Sequence, residues 1–398
     1  MRIGPLAAIA LGCAVLGGVV AVAVGQLTGW TDSSSTTTVF RASPVQPGPT
    51  AATAAVGPGA KPLPGNGFSP SSIYARRSPG VVTIVSVYGG DSGSTRQGSG
   101  FVVSPEGYIL TNSHVITTAG DTPVAQPADS VFIEFQDRDR AEAKIVGWDV
   151  FDDVGLVKVD PSAHPLAPVP LGNSAAAVVG EPVAAIGSPF GNENSLAVGV
   201  VSAVHRSVDS LTSTFNLVDA IQTDAPINHG NSGGPLFDAR GRVIGINAQI
   251  NSTSGQAEGV GFAVPINSAK RSMQQLIATG SVSYAYVGVE TTDLTPALAR
   301  RFGYGVQRGA VVTDVVDGSP AAKAGLRPGR KTASAFGVNF PQSGDVIVAI
   351  DGRRVSGSED IARIVTSKRP GQVARVAVQR GDTRVVLQVR LGERSQSS

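Results

Sequence analysis

Between Arg2 and Asp32 the chain carries no charged residue, and "GPLAAIALGCAVLGGVVAVAVGQL" is almost wholly apolar. That is about the ~20 residues a membrane helix needs, and it exceeds the usual ~7–15 of a signal-peptide core. The pattern predicts an uncleaved anchor over residues 1–30. On the alternative reading it is a cleaved signal peptide, with Ala21-Val22-Ala23 as its small-residue cleavage site. Arg2, the flanking cation, favours a cytoplasmic N-terminus, so either reading exports the remainder. Over residues 31–70 the apolar pattern stops and Ser, Thr, Pro, Gly and Ala take over. Such a composition buries no core and reads as a linker.

From Ser71 to Gly280 short apolar runs recur, among them "GVVTIVSVY", "VFIEFQD", "VGLVKV", "PVAAIGSP" and "GVGFAVPI". Turn signals fall between them, as at Pro105-Glu106-Gly107 and Ala239-Arg240-Gly241. Many short strands with regular turns predict a β-sandwich or β-barrel rather than alternating βα units. One helical run, "NSAKRSMQQLIATG", closes the region, with Asn267 or Ser268 expected as its cap and Gly280 as its stop. Over residues 281–394 strands such as "GDVIVAIDGRRV" and "VVLQVRL" mix with two helical stretches. "SPAAKAGL" has Ser319 as cap and Pro320 in its first turn, and "SEDIARIVTSK" follows. This predicts a small α+β domain with its own core.

A length of 398 residues fits two or three domains. The formal net charge of +2 gives no reason to expect nucleic acid. Cys13 is the only cysteine, so no intrachain disulfide forms. Four histidines without a Cys/His cluster give no reason to expect a structural metal site.

Three polar stretches change the picture. "TDAPINHGNSGGPLFD" surrounds Ser232 with glycine, which permits positive φ and close approach of a substrate. A tight turn explains that composition equally well. "ILTNSHVIT" sets His114 at the end of a strand, and "DVFDDVGLVKVD" sets Asp152 and Asp153 before one. Serine acyl transfer needs a nucleophile, a base and a group orienting the base. Histidine, aspartate and serine occur here in the order of chymotrypsin-like enzymes.

"TNSHVI", "DDVGLVKV" and "GNSGGPL" resemble the three catalytic segments of the HtrA/Deg family of trypsin-like serine proteases. "GSGFVVSPEGYILTNSHV" and "GVGFAVP" are similar to that family too, and the likeness runs from about Ile73 to the C-terminus. The resemblance implies a mainly β fold, with two six-stranded barrels over 71–280 and a PDZ domain over 281–394. It implies that His114 is the general base, Asp153 its orienting group and Ser232 the nucleophile. Asp153 is preferred to Asp152 because it directly precedes "VGLVKV", as the family's aspartate does. The N–H groups of Gly230 and Ser232 would form the oxyanion hole, with Asn231 shaping the turn. Residues near Ile227 and Asn247 would form the specificity pocket; neither is acidic, so small or medium aliphatic residues are expected before the cut.

"YVGV", Tyr286-Val287-Gly288-Val289, stands where the family has its carboxylate-binding loop. His229 and Pro226 depart from the family's usual residues; His229 reads first as a solvated turn residue, with a pH sensor as the alternative. An insertion over 330–343 is expected to form a flap or hairpin. The reading implied is a single-pass, membrane-anchored, extracytoplasmic serine endopeptidase. It would be trimeric, act on unfolded or misfolded proteins, need no cofactor, and bind peptide C-termini through its PDZ domain. The alternatives are a catalytically silent peptide-binding scaffold or holdase, and a secreted protease released near Ala23.

Overall fold

The computed structural model describes residues 67–395 apart from 90–92, 123, 189–194, 211, 214–215, 228–229 and 249–259. The expected anchor, Cys13, nearly all of the linker, and His229 lie outside the described residues. Among the described residues, no helix is long and apolar enough to cross a membrane.

A helix α1 (Pro70–Arg77) leads into the first barrel. Its strands are β1 (Val81–Tyr88), β2 (Ser94–Val102), β3 (Tyr108–Thr111), β4 (Ser130–Glu134), β5 (Arg140–Asp149) and β6 (Val154–Val159). They close in the order β1-β2-β3-β6-β5-β4, every neighbour antiparallel. The second barrel comprises β7 (Pro182–Gly187), β8 (Ser195–Val208), β9 (Leu217–Thr223), β10 (Pro235–Phe237), β11 (Val243–Ala248) and β12 (Gly261–Pro265). It closes in the order β10-β11-β12-β9-β8-β7. The expected pair of six-stranded barrels is therefore present, and closure removes the unpaired edges that open sheets expose. Each barrel has its own apolar filling, Ile84, Ile109 and Val157 in the first and Val183, Val201 and Leu236 in the second. A further core joins the two through Phe101, Leu110, Ile186 and Phe237.

Helix α2 (Ser113–Ile116) is a single turn after β3. Helix α3 (Ile266–Thr279) follows β12 and ends at Gly280 with φ +73°, as expected. Its start differs from the expected cap. Pro265 holds the N-cap position, and Asn267 instead donates to Asn173 Oδ1 at 2.7 Å. Ser174 Oγ accepts the N–H of Asn267 at 3.2 Å, so a distant loop satisfies the first turn in place of a local side chain.

The C-terminal domain begins with β13 (Ser283–Tyr286) and β14 (Val289–Leu294), then α4 (Pro296–Phe302) and β15 (Gly309–Val315). After it come α5 (Pro320–Ala324), β16 (Thr332–Ala335), β17 (Val338–Pro341), β18 (Val346–Ile350) and β19 (Arg353–Arg354). Helix α6 (Ser358–Thr366) and strands β20 (Val373–Arg380), β21 (Thr383–Arg390) and β22 (Gly392–Ser395) complete it. The main sheet runs β14-β15-β18-β20-β21, with β19 on β18. Strands β13 and β22 pair antiparallel, tying the domain's entry to its exit. Ser319 caps α5 as expected, its Oγ accepting from Ala322 N at 3.2 Å. The insertion forms the hairpin β16–β17, anchored by buried Phe340, with Phe336 exposed between its strands.

Candidate active site

His114 lies on α2, directly after β3, and Asp153 directly precedes β6; β3 and β6 are paired neighbours. That pairing brings the two residues together across 39 positions of chain. His114 Nδ1 and Asp153 Oδ2 are 2.9 Å apart. The other carboxylate oxygen of Asp153 accepts from Ser113 Oγ at 2.7 Å and from the His114 N–H at 3.2 Å. Asp153 has φ +50°, a left-handed conformation costly for a side-chain-bearing residue. Asn112 holds it there by donating Nδ2 to the Asp153 carbonyl at 2.8 Å. With both its oxygens committed, the carboxylate can fix the tautomer and orientation of the ring.

Burial of His114 is the largest influence on its pKa and lowers it. The charge and hydrogen bond of Asp153 together outweigh burial and hold the imidazole above its ordinary value. Arg96 and Asp121, themselves ion-paired, add smaller influences of opposite sign.

Ser232 sits in the turn before β10, almost wholly buried. The turn is fixed from several sides. Gly233 N–H donates to Asn247 O at 2.9 Å, Gly234 N–H to Asn231 O at 3.0 Å, and Asn247 N–H to Gly234 O at 2.8 Å. Gly233 has φ +86°, and a Cβ there would stand 2.1 Å from Ser99 O and 2.3 Å from Thr111 Oγ1. The turn thus packs directly on the segment leading to His114. Ser232 Oγ is buried and makes no hydrogen bond among the described residues, to His114 or to any other group. Such bonds are often loose without substrate.

Gly230 has φ +95°, and its carbonyl accepts from Ser99 Oγ at 2.5 Å. Asn231 anchors the other side, donating Nδ2 to Pro226 O at 3.3 Å. Ile227 and Asn247 flank this turn and are both buried, Asn247 completely. Asn247 Nδ2 donates to Pro235 O at 3.2 Å, while its Oδ1 has no partner among the described residues.

Tyr286, Val287, Gly288 and Val289 join β13 to β14. Gly288 has φ +81°, and its carbonyl accepts from Ser319 Oγ at 3.3 Å and from Val316 N–H at 3.1 Å. All four residues line a cavity of about 640 Å³, whose other walls include Ile361 and Val365 of α6. Phe151 and Asp152 of the first barrel also line it. The 330–343 hairpin does not.

Two features near the site were not anticipated from sequence. Ser99 was visible only as part of "GSGFVV", with no polar pattern to mark it. Asp149, fully buried, accepts from Tyr284 Oη at 2.5 Å, Ser272 Oγ at 2.6 Å, Phe151 N–H at 3.0 Å and Asp152 N–H at 3.3 Å. Burial raises its carboxyl pKa. Asp152, beside it, is pushed up to about 7, by burial first and the Asp149 charge second, against the pull of Arg271. No cluster that could hold a metal ion occurs among the described residues.

Comparison with known proteins agrees with this geometry. The trypsin-like peptidase domain family matches residues 98–246, and the PDZ domain family matches residues 285–391. A "Probable periplasmic serine endoprotease DegP-like" of Pseudomonas fulva (strain 12-X) is 41% identical over 295 residues, 74% of this chain and 55% of that protein. Its namesake in Hahella chejuensis (strain KCTC 2396) is 42% identical over 296 residues, 74% of this chain and 57% of that protein. The chain therefore spans little more than half the length of these curated relatives. The solved structure "HtrA-type protease AlgW with tripeptide" aligns with a TM-score of 0.67 and 36% identity, over 82% of this chain and 97% of that one. With two closed barrels, a PDZ domain and that likeness over almost the whole of a solved relative, this chain belongs to the family of HtrA-type serine proteases.

Proposed function

We propose that the chain is a serine endopeptidase that cuts unfolded or exposed protein segments. The observation that carries this is the His114–Asp153 pair, together with a buried Ser232 hydroxyl that has no partner among the described residues, in a glycine turn packed on Thr111 of the strand that leads to His114. Ser232 Oγ attacks the scissile carbonyl carbon while His114 Nε2 takes its proton. The N–H groups of Gly230 and Ser232 receive the charge that develops on the carbonyl oxygen. His114 then gives the proton to the leaving amine, leaving an acyl-enzyme. Water attacks the acyl group, losing its proton to His114, which returns it to the departing Ser232 Oγ as the carboxylic acid product leaves. Asp153 stays ionised throughout and stabilises the imidazolium. Residues around Ile227 and Asn247 favour small or medium aliphatic side chains before the cut.

The PDZ domain binds peptide C-termini, the terminal carboxylate meeting the N–H groups of Tyr286–Val289 and the peptide adding as a strand beside β14. The shared cavity supports this, as do the tripeptide and decapeptide named with the solved AlgW structures. An occupant would touch Phe151 and Asp152, the residues before Asp153, and so bias the active site. The apolar N-terminal run supports a membrane anchor with the protease and PDZ domains outside the cytoplasm, and the periplasmic naming of the relatives supports that side of the membrane. A trimer is expected from the family alone; light scattering on the full chain tests it.

The deciding experiment compares the full chain in detergent with its Ser232→Ala variant on an unfolded protein, with and without hydrophobic C-terminal peptides. Cleavage by the wild type alone, accelerated by peptide, is expected. No cleavage by the wild type under any condition, with peptide binding intact, would favour the scaffold or holdase reading.

A further inference from the structure

Ser99 lies on β2 where the first barrel faces the second, and it is wholly buried. Its polar atoms reach the Ser232 turn and the strand that leads to His114. Its N–H donates to Ser232 O at 2.8 Å. Its carbonyl accepts from Thr111 Oγ1 at 2.7 Å, on the strand that delivers His114. Its Oγ accepts from Ser188 N–H at 2.9 Å, just past the end of β7, and donates to Gly230 O at 2.5 Å.

The last bond matters most. Gly230 has no Cβ and sits at φ +95°. Nothing in the residue itself restrains the peptide plane that follows it, because glycine reaches both signs of φ at little cost. The Ser99 hydroxyl supplies the restraint from the opposite barrel. It also completes a chain of bonds, from Ser188 N–H through Ser99 Oγ to Gly230 O, that locks the nucleophile turn to both barrels. Losing the hydroxyl would remove the acceptor of the buried Ser188 N–H and the donor to the part-buried Gly230 O, and would release the Gly230–Asn231 peptide while the bonds of Gly233, Gly234 and Asn247 still hold the rest of the turn.

We propose that Ser99 is a positioning residue: by holding the Gly230 carbonyl it fixes the turn in the conformation that aims the Gly230 and Ser232 N–H groups at the oxyanion. The inference rests on the function proposed above. Ser99 touches neither substrate nor reacting atoms, so its contribution is felt in the transition state and hardly in ground-state binding.

The test compares full-length wild type, Ser99→Ala and Ser99→Cys in detergent, with labelled casein as substrate. Active sites are titrated with a fluorophosphonate so that rates are expressed per competent site. Ser99→Ala should lower kcat about 10–100-fold per titrated site while KM stays within about twofold. Its affinity for a valine-terminated peptide boronic acid, whose tetrahedral adduct uses the same hole, should fall in step with kcat/KM. Ser99→Cys, which keeps a weaker donor, should fall between the two. The inference is overturned if Ser99→Ala keeps kcat within about threefold per titrated site, or if Ser99→Cys falls short of wild type only by losing titratable sites. An active wild type with such variants refutes this inference alone. A wild type that cleaves nothing refutes the proposed function with it.

Discussion

His114 depends on Asp153 in two ways, and one substitution separates them. The carboxylate fixes the ring through the 2.9 Å contact at Nδ1, and its charge keeps the imidazole pKa above the ordinary value despite burial. Asp153→Asn keeps the shape and removes the charge. A neutral amide also permits the wrong tautomer, so kcat should fall by about 10³–10⁴. The pH profile should move as well. As the proposed base, His114 must be neutral, so wild-type kcat/KM should be lost as pH falls through the raised His114 pKa. Without Asp153 burial dominates, and the residual activity of Asp153→Asn should lose its acid limb at a lower pH. An unshifted acid limb in steady-state rates would refute this account of the pair.

At the scale of single elements, the glycine turn and the helix caps make different demands. Gly233 combines φ +86° with a Cβ position 2.1 Å from a backbone oxygen. Gly233→Ala should therefore cost at least about 2 kcal/mol, seen as a lower Tm, and should abolish cleavage by displacing Ser232. Ser319→Ala removes one cap bond to Ala322 N–H and a weaker one to Gly288 O. It should cost about 1 kcal/mol. Because Gly288 lies in the loop proposed to bind the peptide carboxylate, peptide affinity measured by fluorescence anisotropy should weaken with it, while basal cleavage is unchanged. The two sites also show how legible elements were in the sequence. The Ser319-Pro320 cap could be read directly because its bond closes within four residues. The start of α3 could not, because its partner Ser174 lies far back in the chain.

Across the whole molecule, the carboxyls Asp149 and Asp152 connect the active-site loop to the C-terminal domain. Tyr284, on the first strand of that domain, donates to Asp149, whose other oxygen holds the N–H groups of Phe151 and Asp152. Asp152 has a folded pKa of about 7, far above the unfolded carboxylate range. Its protonated form is the one that folding favours. Its contribution is therefore full below about pH 4, declines as pH rises towards 7 and is absent above that. Asp152→Asn removes the titration. Its Tm relative to wild type should be higher at pH 8 than at pH 4, by roughly 2–4 °C for each kcal/mol recovered. A Tm difference constant across that range would show that Asp152 stays ionised in the fold.

The β-rich domain, the smaller α+β domain after it, the Ser319 cap and the Gly280 stop of α3 could be read from the sequence, and His114, Asp153 and Ser232 stood out in it as candidates. Each leaves a local signature: an apolar period, a Gly or Pro at a fixed offset, or a chemically distinctive side chain in a quoted motif. Preference for Asp153 over Asp152 needed the family resemblance, since the two adjacent carboxylates have the same composition. The fold separates them physically. Asp153 turns to His114 because φ +50° and the Asn112 bond aim it there, whereas Asp152 is buried beside Asp149 and Tyr284. Barrel closure, the Ser99 bridge and the Asp149–Tyr284 contact are decided only by tertiary structure. Their partners stand 131 residues apart for Ser99 and Gly230 and 135 for Asp149 and Tyr284. A serine in a strand or an aspartate in a turn looks ordinary in sequence; its role comes from groups that only the folded chain brings within hydrogen-bonding distance.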